Sequence, residues 1–268
     1  MIRAESTVTL TDTPIIFWEN VVTETNVYAE SDQNFPASNV ANPSTALKWR
    51  HDLTDSPASA VEYFSIDVSQ TTTINYVAIA GHNFATAGIA VGLEIASFNS
   101  PVGSAESIFE PQIPTDDGPI IFVFTSREAE GVNIIFVPTA TPAEMAVVYV
   151  GAYTEMEEGI QADHSPLPLS RISDFVNGMS ESGQFLGRIT LSSQLESAAT
   201  FANLSKDWVR EELQPFLEFA EENPFFYAWS PDTYPDETAF AWLSSDPVPT
   251  FDIDGYGAIT LDMQGSAT

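Results

Sequence analysis

Short apolar runs broken by turn residues set the pattern of the first half of the chain. Ile15–Trp18, Asn26–Ala29, Val61–Val68, Ile74–Ala80, Ile89–Ile95, Ile120–Phe124, Val132–Val137 and Val147–Tyr153 all have strand length. Clusters of Gly, Pro, Asn and Asp separate them, as in Ser31–Pro36, Ser100–Gly103 and Thr115–Pro119. Several short strands at this spacing predict a β-sandwich. Within Val61–Val68, alternation puts Val61, Tyr63, Ser65 and Asp67 on one face and Glu62, Phe64, Ile66 and Val68 on the other. The second set is more apolar and is expected to face the core.

The pattern changes after residue 155. Glu155-Met156-Glu157-Glu158-Gly159 is acidic, and Ser165-Pro166-Leu167-Pro168-Leu169 is held extended by its prolines. Turn signals follow at Asn177-Gly178 and Ser180–Gly183. We therefore expect a first domain over 1–155, an extended arm or linker over 156–183, and a second β domain over 184–268. In the second domain Phe185–Ser192 alternates as a strand. Ser205 is placed to N-cap a helix near 206–222. Pro215 either ends that helix near Leu213 and starts another, or kinks it. Trp208, Leu213, Phe216, Phe219 and Ala220 would form its buried stripe, and Asn223-Pro224 stops it. Phe225–Trp229, Ala239–Leu243 and Ile259–Met263 read as closing strands, with a short polar tail at Gln264–Thr268. The fold class is mostly β, with two sandwich-type domains and one short helix.

Charge narrows the list of partners. The chain carries 8 Lys+Arg against 38 Asp+Glu, a net charge of −30 over 268 residues. Residues 1–155 and 156–268 each hold 19 acids and 4 bases, so the acidity is spread evenly. Binding to DNA or RNA needs a basic stripe that neutralises phosphates, and none is present. Anionic membrane surfaces are disfavoured for the same reason. The longest apolar runs are far too short to span a bilayer, and the N-terminus has no apolar signal region. A soluble chain made in the cytoplasm is expected, with its final location open. The absence of cysteine excludes disulfides and thiolate chemistry.

Candidate chemistry is sparse. His51, His82 and His164 stand in no recognised metal spacing. No phosphate-cradling loop or nucleophile elbow is present. Asp116-Asp117 and Asp252-x-Asp254 could hold calcium, but neither is an EF-hand loop. A glycosidase would use two facing carboxylates, and sequence alone cannot select two among 38. No enzymatic activity and no cofactor are expected.

Two resemblances point to function. Phe35-Pro36-Ala37-Ser38-Asn39-Val40-Ala41-Asn42-Pro43, then Thr45 and Trp49, precede Phe64–Val68 and Ile74–Asn83. That order resembles the galactose-binding-like (discoidin-type) jelly roll over about residues 20–153. The resemblance implies that Trp49 plugs the open end of a sandwich. Some members of that fold bind sugars through loops at one end. By that analogy Trp49, Arg50, His82 and Asn83 are the candidate glycan-binding residues, with Trp49 available for stacking. In the second half, Asn203-Leu204-Ser205-x-x-Trp208, Leu213-x-Pro215-Phe216 and Asn223–Trp229 lead to Tyr234-Pro235-Asp236-Glu237 and Ala239–Leu243. This pattern, over about residues 160–268, resembles distal and minor tail proteins of long-tailed bacteriophages. It implies a structural virion protein of the tail tip, self-associated into a three- or six-fold ring. Such a ring would join tail tube to hub or receptor-binding proteins. The alternative is a carbohydrate-binding tail adhesin that recognises a host surface glycan.

Overall fold

The computed structural model describes residues 1–54, 61–97, 105–161 and 163–266. In chain order the first strands are β1 (Ile2–Ala4), β2 (Ile15–Phe17), β3 (Val27–Tyr28), β4 (Trp49–Arg50), β5 (Glu62–Ala80), β6 (Ala90–Ser97), β7 (Glu106–Gln112) and β8 (Ile120–Val137). Then come β9 (Glu144–Met145), β10 (Val147–Gly151), β11 (Tyr153–Glu155), β12 (Arg171–Met179), β13 (Phe185–Ser205), β14 (Phe225–Ala228), β15 (Thr238–Leu243), β16 (Thr250–Phe251) and β17 (Tyr256–Gly265). The chain is mostly β, as expected. The turn expected at Ser100–Gly103 and the last two residues of the polar tail lie outside the described residues.

Two sheets dominate. The first runs β10-β5-β8-β6-β7, with β1 added beside β8 and β3 beside β5. The second runs β11-β2-β14-β15-β17-β13-β12, with β16 beside β17. Strands are fewer and longer than the apolar runs suggest. Val61–Val68 and Ile74–Ala80 fuse into β5, and Ile120–Phe124 and Val132–Val137 fuse into β8. The connecting segments carry no proline, and those of β5 include the β-branched Thr71, Thr72 and Thr73, so nothing forces the chain out of extended backbone.

Unbroken apolar runs report burial on both faces of a sheet. Ile120, Phe122 and Phe124 point into the core of the first sandwich, with Phe64, Ile66, Val68 and Trp49. The intervening Ile121 and Val123 point the other way, onto Phe17, Tyr149, Phe226 and Phe240. This second core lies between the two sheets and joins the halves of the molecule. A fully buried side chain of this size contributes about 1.5–3 kcal/mol, so the joint is a major part of the fold. The third core, with Phe201, Leu213, Phe216 and Phe225, lies under the helical segment.

The expected division at 155 and the expected linker over 156–183 both need correction. β2 leaves the first half and pairs with β14, Tyr227 opposite Ile16, inside the second sheet. The chain itself changes sheet around Ala152: β10 pairs with β5, whereas β11 pairs with β2. That crossing passes against the Glu19 backbone at Gly151, where an added Cβ would fall onto the Glu19 carbonyl oxygen and 2.8 Å from its carbon. Residues 171–179 form strand β12, paired antiparallel with β13 through two bulges, rather than an extended arm. The prolines set only the stretch before it, which ends in a short turn of helix at Leu167–Leu169.

The helical segment begins where expected. Ser205 Oγ accepts from the Trp208 N–H at 3.3 Å. Residues 206–208 are α-helical, Val209–Leu213 is π-helical, and Gln214–Ala220 returns to α-helix. The wide turn comes directly before Pro215, whose missing N–H and ring would otherwise break the ladder. Leu213, Phe216 and Ala220 are buried as expected, together with Val209.

Candidate functional site

The four candidate sugar-binding residues do not converge. In β4 neighbouring side chains alternate, so Trp49 turns inward and Arg50 outward. Trp49 is fully buried, edge-on to Phe64 at 5.0 Å and Phe136 at 5.4 Å. Its Nε1–H donates to Ser31 Oγ at 2.8 Å. It is therefore the plug of the sandwich and has no face free for stacking on a sugar, which corrects that expectation. Arg50 lies over the Phe35 ring at 4.1 Å and pairs with Glu144 through Nη2 at 2.7 Å. Lys48 reaches the same carboxylate at 3.3 Å. The Asn83 amide ties its loop to the segment entering β9, donating to the Pro142 carbonyl and accepting from the Glu144 N–H, both at 2.9 Å.

His82 is buried and stacked on Phe84 at 4.8 Å. Its Nε2 lies 2.7 Å from the Gly118 carbonyl, and its Nδ1 accepts from the Phe84 N–H at 3.3 Å. That pair of bonds assigns the proton to Nε2. Burial pushes its pKa down to about 4, although the nearby Asp117 and Asp116 charges pull the other way. His82 is thus a neutral structural group at pH 7.

The acid pairs support turns. Asp117 accepts from the N–H groups of Ala85 and Thr86, at 2.8 and 3.2 Å, and from the Thr86 hydroxyl. Asp116 accepts from the Gly118 N–H at 2.9 Å. Asp252 Oδ1 accepts from Gly255 and Tyr256, at 2.7 and 2.8 Å, closing a turn in which Gly255 has φ +96°.

Where the two sheets meet, a cavity of about 650 Å³ opens. Lys48 and Arg171 line it against Asp116, Asp117 and Asp236, with His82 and Asn83 on its wall.

An unusual surface is formed by the β12–β13 hairpin. Residues 185–194 of β13 pair only with β12, beyond the part of the strand that meets β17. Phe185, Leu186, Ile189 and Leu191 are 61–68 % exposed, and Val176 and Met179 are more than half exposed. Val176 lies directly opposite Ile189. Where the ladder is unbroken, Val176 and Ile189 share one face, while Phe175, Asn177, Arg188 and Thr190 occupy the other, more polar face; bulges at Asp174/Phe175 and Gly178/Met179 interrupt the alternation at Leu191 and before Phe185. On that polar face the Arg188 guanidinium covers Phe175 at 3.8 Å. Residues 171–195 hold two arginines (171, 188) and two acids (174, 181), so this segment of a −30 chain is neutral. The strand was legible from its alternation, but its full exposure was not. Apolar residues in both registers next to a turn, without local charge, were the available signal.

No protein-family model matches the sequence, and no curated protein matches it. Among solved structures, the chain is similar to chitosan-binding module 1 from a chitosanase/glucanase of Paenibacillus sp. IK-5. The match has 16 % identity and a TM-score of 0.41, covering 49 % of this chain and 98 % of that one. A CBM32 module of Clostridium perfringens, in complex with GalNAc-β-1,3-galactose, matches at 14 % identity and TM-score 0.39, covering 48 % and 97 %. The CBM32 of AlyQ, in complex with 4,5-unsaturated mannuronic acid, matches at 16 % and 0.37, covering 50 % and 94 %. Each likeness is limited to about half of this chain.

Proposed function

We propose that this is a non-enzymatic structural protein whose copies associate through the 171–195 hairpin, and that it serves as a ring component of a bacteriophage tail tip in the virion. The observation that carries the association is the exposed apolar surface of the charge-neutral β12–β13 hairpin on an otherwise strongly acidic molecule. Contiguous apolar patches of this kind mark interaction sites, and interface cores are depleted in charge. β12 is also the last strand of its sheet, with one edge open for pairing. A ring needs two different complementary patches on each protomer; the hairpin supplies one. The tail-tip assignment and the connection from tube to hub rest on the sequence resemblance of residues 160–268. Electron microscopy of the purified chain at moderate salt tests the reading. Closed rings of one size support it, and monomeric particles at micromolar concentration and above contradict it.

A second reading, glycan binding, is favoured by the cavity between the sheets. Its volume and mixed polar lining suit a small saccharide. Here the ligand would meet Asp236 and Arg171 rather than stack on Trp49. Saturable binding on a glycan array that is lost in Asp236→Asn would support it.

A further inference from the structure

One buried side chain plays no part in the surfaces described above. His51 follows β4 and is 2 % exposed. Its ring packs edge-on against Phe136 at 5.3 Å, and its backbone N–H is bonded to the Ala143 carbonyl at 2.9 Å. Both ring nitrogens are shielded from solvent, and among the described residues neither has a hydrogen-bond partner. Leaving a buried polar group unsatisfied costs about 1–3 kcal/mol. An imidazole with two such atoms needs a reason to be there.

Its surroundings provide one. Donor atoms of Glu30, His51 and Glu62 all lie within 4.8 Å of one another. Three separate elements bring them together. Glu62 opens β5 and sits opposite Phe136, the residue that His51 packs against. Glu30 follows β3, which is tied to β5 by Val27 opposite Ile66. The Trp49 Nε1–H, 3.2 Å from the Glu30 carbonyl, fixes that backbone beside β4. The neighbouring Asp52 is already used, its Oδ1 accepting from the N–H and hydroxyl of Thr54 at 2.8 and 2.7 Å.

We propose that Glu30, His51 and Glu62 form a binding site for a divalent transition-metal ion of the zinc class. One imidazole nitrogen and two carboxylate oxygens suit zinc, which binds both donor types. Calcium prefers oxygen ligands throughout and would leave the imidazole unused. Tetrahedral zinc bonds of about 2.0–2.2 Å place ligand atoms roughly 3.3–3.6 Å apart. The two glutamate side chains, one exposed and one half-buried, need close by at most about 1.5 Å to reach that spacing. Three protein ligands leave a fourth position for water or a residue of another copy. The ion would pin the β3, β4 and β5 strand ends at one end of the first sandwich. This inference does not depend on the assembly reading.

The test uses the full chain, stripped with a chelator and titrated with Zn²⁺ in a calorimeter, with Co²⁺ absorption reporting the coordination. One zinc per chain, a visible spectrum of tetrahedral cobalt and a higher Tm with zinc are expected. Glu62→Gln should weaken zinc binding at least tenfold, and His51→Gln should abolish it. If His51→Gln fails to fold, the Glu30→Gln/Glu62→Gln pair leaves the core side chains intact and decides the matter. Unsaturable binding at many carboxylates, binding of calcium alone, or zinc affinity unchanged in that pair would overturn the proposal.

Discussion

Replacing His82 with glutamine should make the protein more resistant to acid. In the folded chain the ring is buried, and burial holds its pKa near 4; in the unfolded chain it is near 6.5. Above pH 6.5 both states carry a neutral ring, so the group adds no pH dependence there. As pH falls below 6.5 the unfolded state takes up a proton that the folded state refuses, and stability is lost until about pH 4. The gap of about 2.5 units, at 1.36 kcal/mol each, corresponds to about 3 kcal/mol. Geometry agrees with that sign. Protonating Nδ1 would destroy its acceptance of the Phe84 N–H. Urea denaturation of wild type and His82→Gln, at pH 7 and pH 4, isolates the effect. Carboxylate titration is common to both proteins and cancels in the difference. The variant loses the Gly118 bond at every pH, so the change with pH is the relevant quantity. Wild type should lose about 3 kcal/mol more than the variant between the two pH values. Parallel losses would refute the argument that His82 is buried and neutral.

Three further substitutions probe the fold. Trp49→Ala removes the plug of the first sandwich and should cost about 3–5 kcal/mol in equilibrium denaturation; a cost below about 1 kcal/mol would return Trp49 to the surface. Gly151→Ala drives a methyl group into the Glu19 backbone where the chain changes sheet. It should lower stability by about 1–3 kcal/mol or more, visible as a drop in Tm, and an unchanged Tm would mean the crossing is looser than described. Ser205→Ala removes the helix N-cap, with an expected loss of about 1 kcal/mol by urea midpoint. A loss of that size in Ser205→Gly as well would point away from the cap, since glycine is tolerated there.

Much of the fold was legible from periodicity. Alternation in Val61–Val68 correctly turned Phe64, Ile66 and Val68 inward, and Ser205 marked the start of the helix. The joint between the halves was missed because it depends on pairing distant in sequence. Nothing local to Ile15–Phe17 says that it will leave its neighbours for β14. Yet Ile120–Phe124 and Val147–Val150 carried a hint, since an apolar run without alternation needs cover on both sides. The sugar-site expectation failed at Trp49 for a related reason. Resemblance located the loop, but the alternation of a two-residue strand decided which side chain faced out. Glu30, His51 and Glu62 have no motif spacing at all; only the β3–β5 and β5–β8 ladders bring them together.

The β12–β13 hairpin carries the proposed assembly. Ile189→Asp with Leu191→Asp places two charges in its apolar surface at positions 68 % exposed in the protomer. Surface substitutions of this kind should change the protomer's stability by no more than about 0.5 kcal/mol. Sedimentation velocity of wild type and this pair, over a range of salt concentrations, is the most direct measurement. Wild type should sediment as one discrete oligomer, favoured by salt because screening relaxes the repulsion between chains of charge −30. The variant should sediment as a folded monomer at every salt concentration. Identical oligomers from both proteins, or monomers from both, would contradict assembly through β12 and β13.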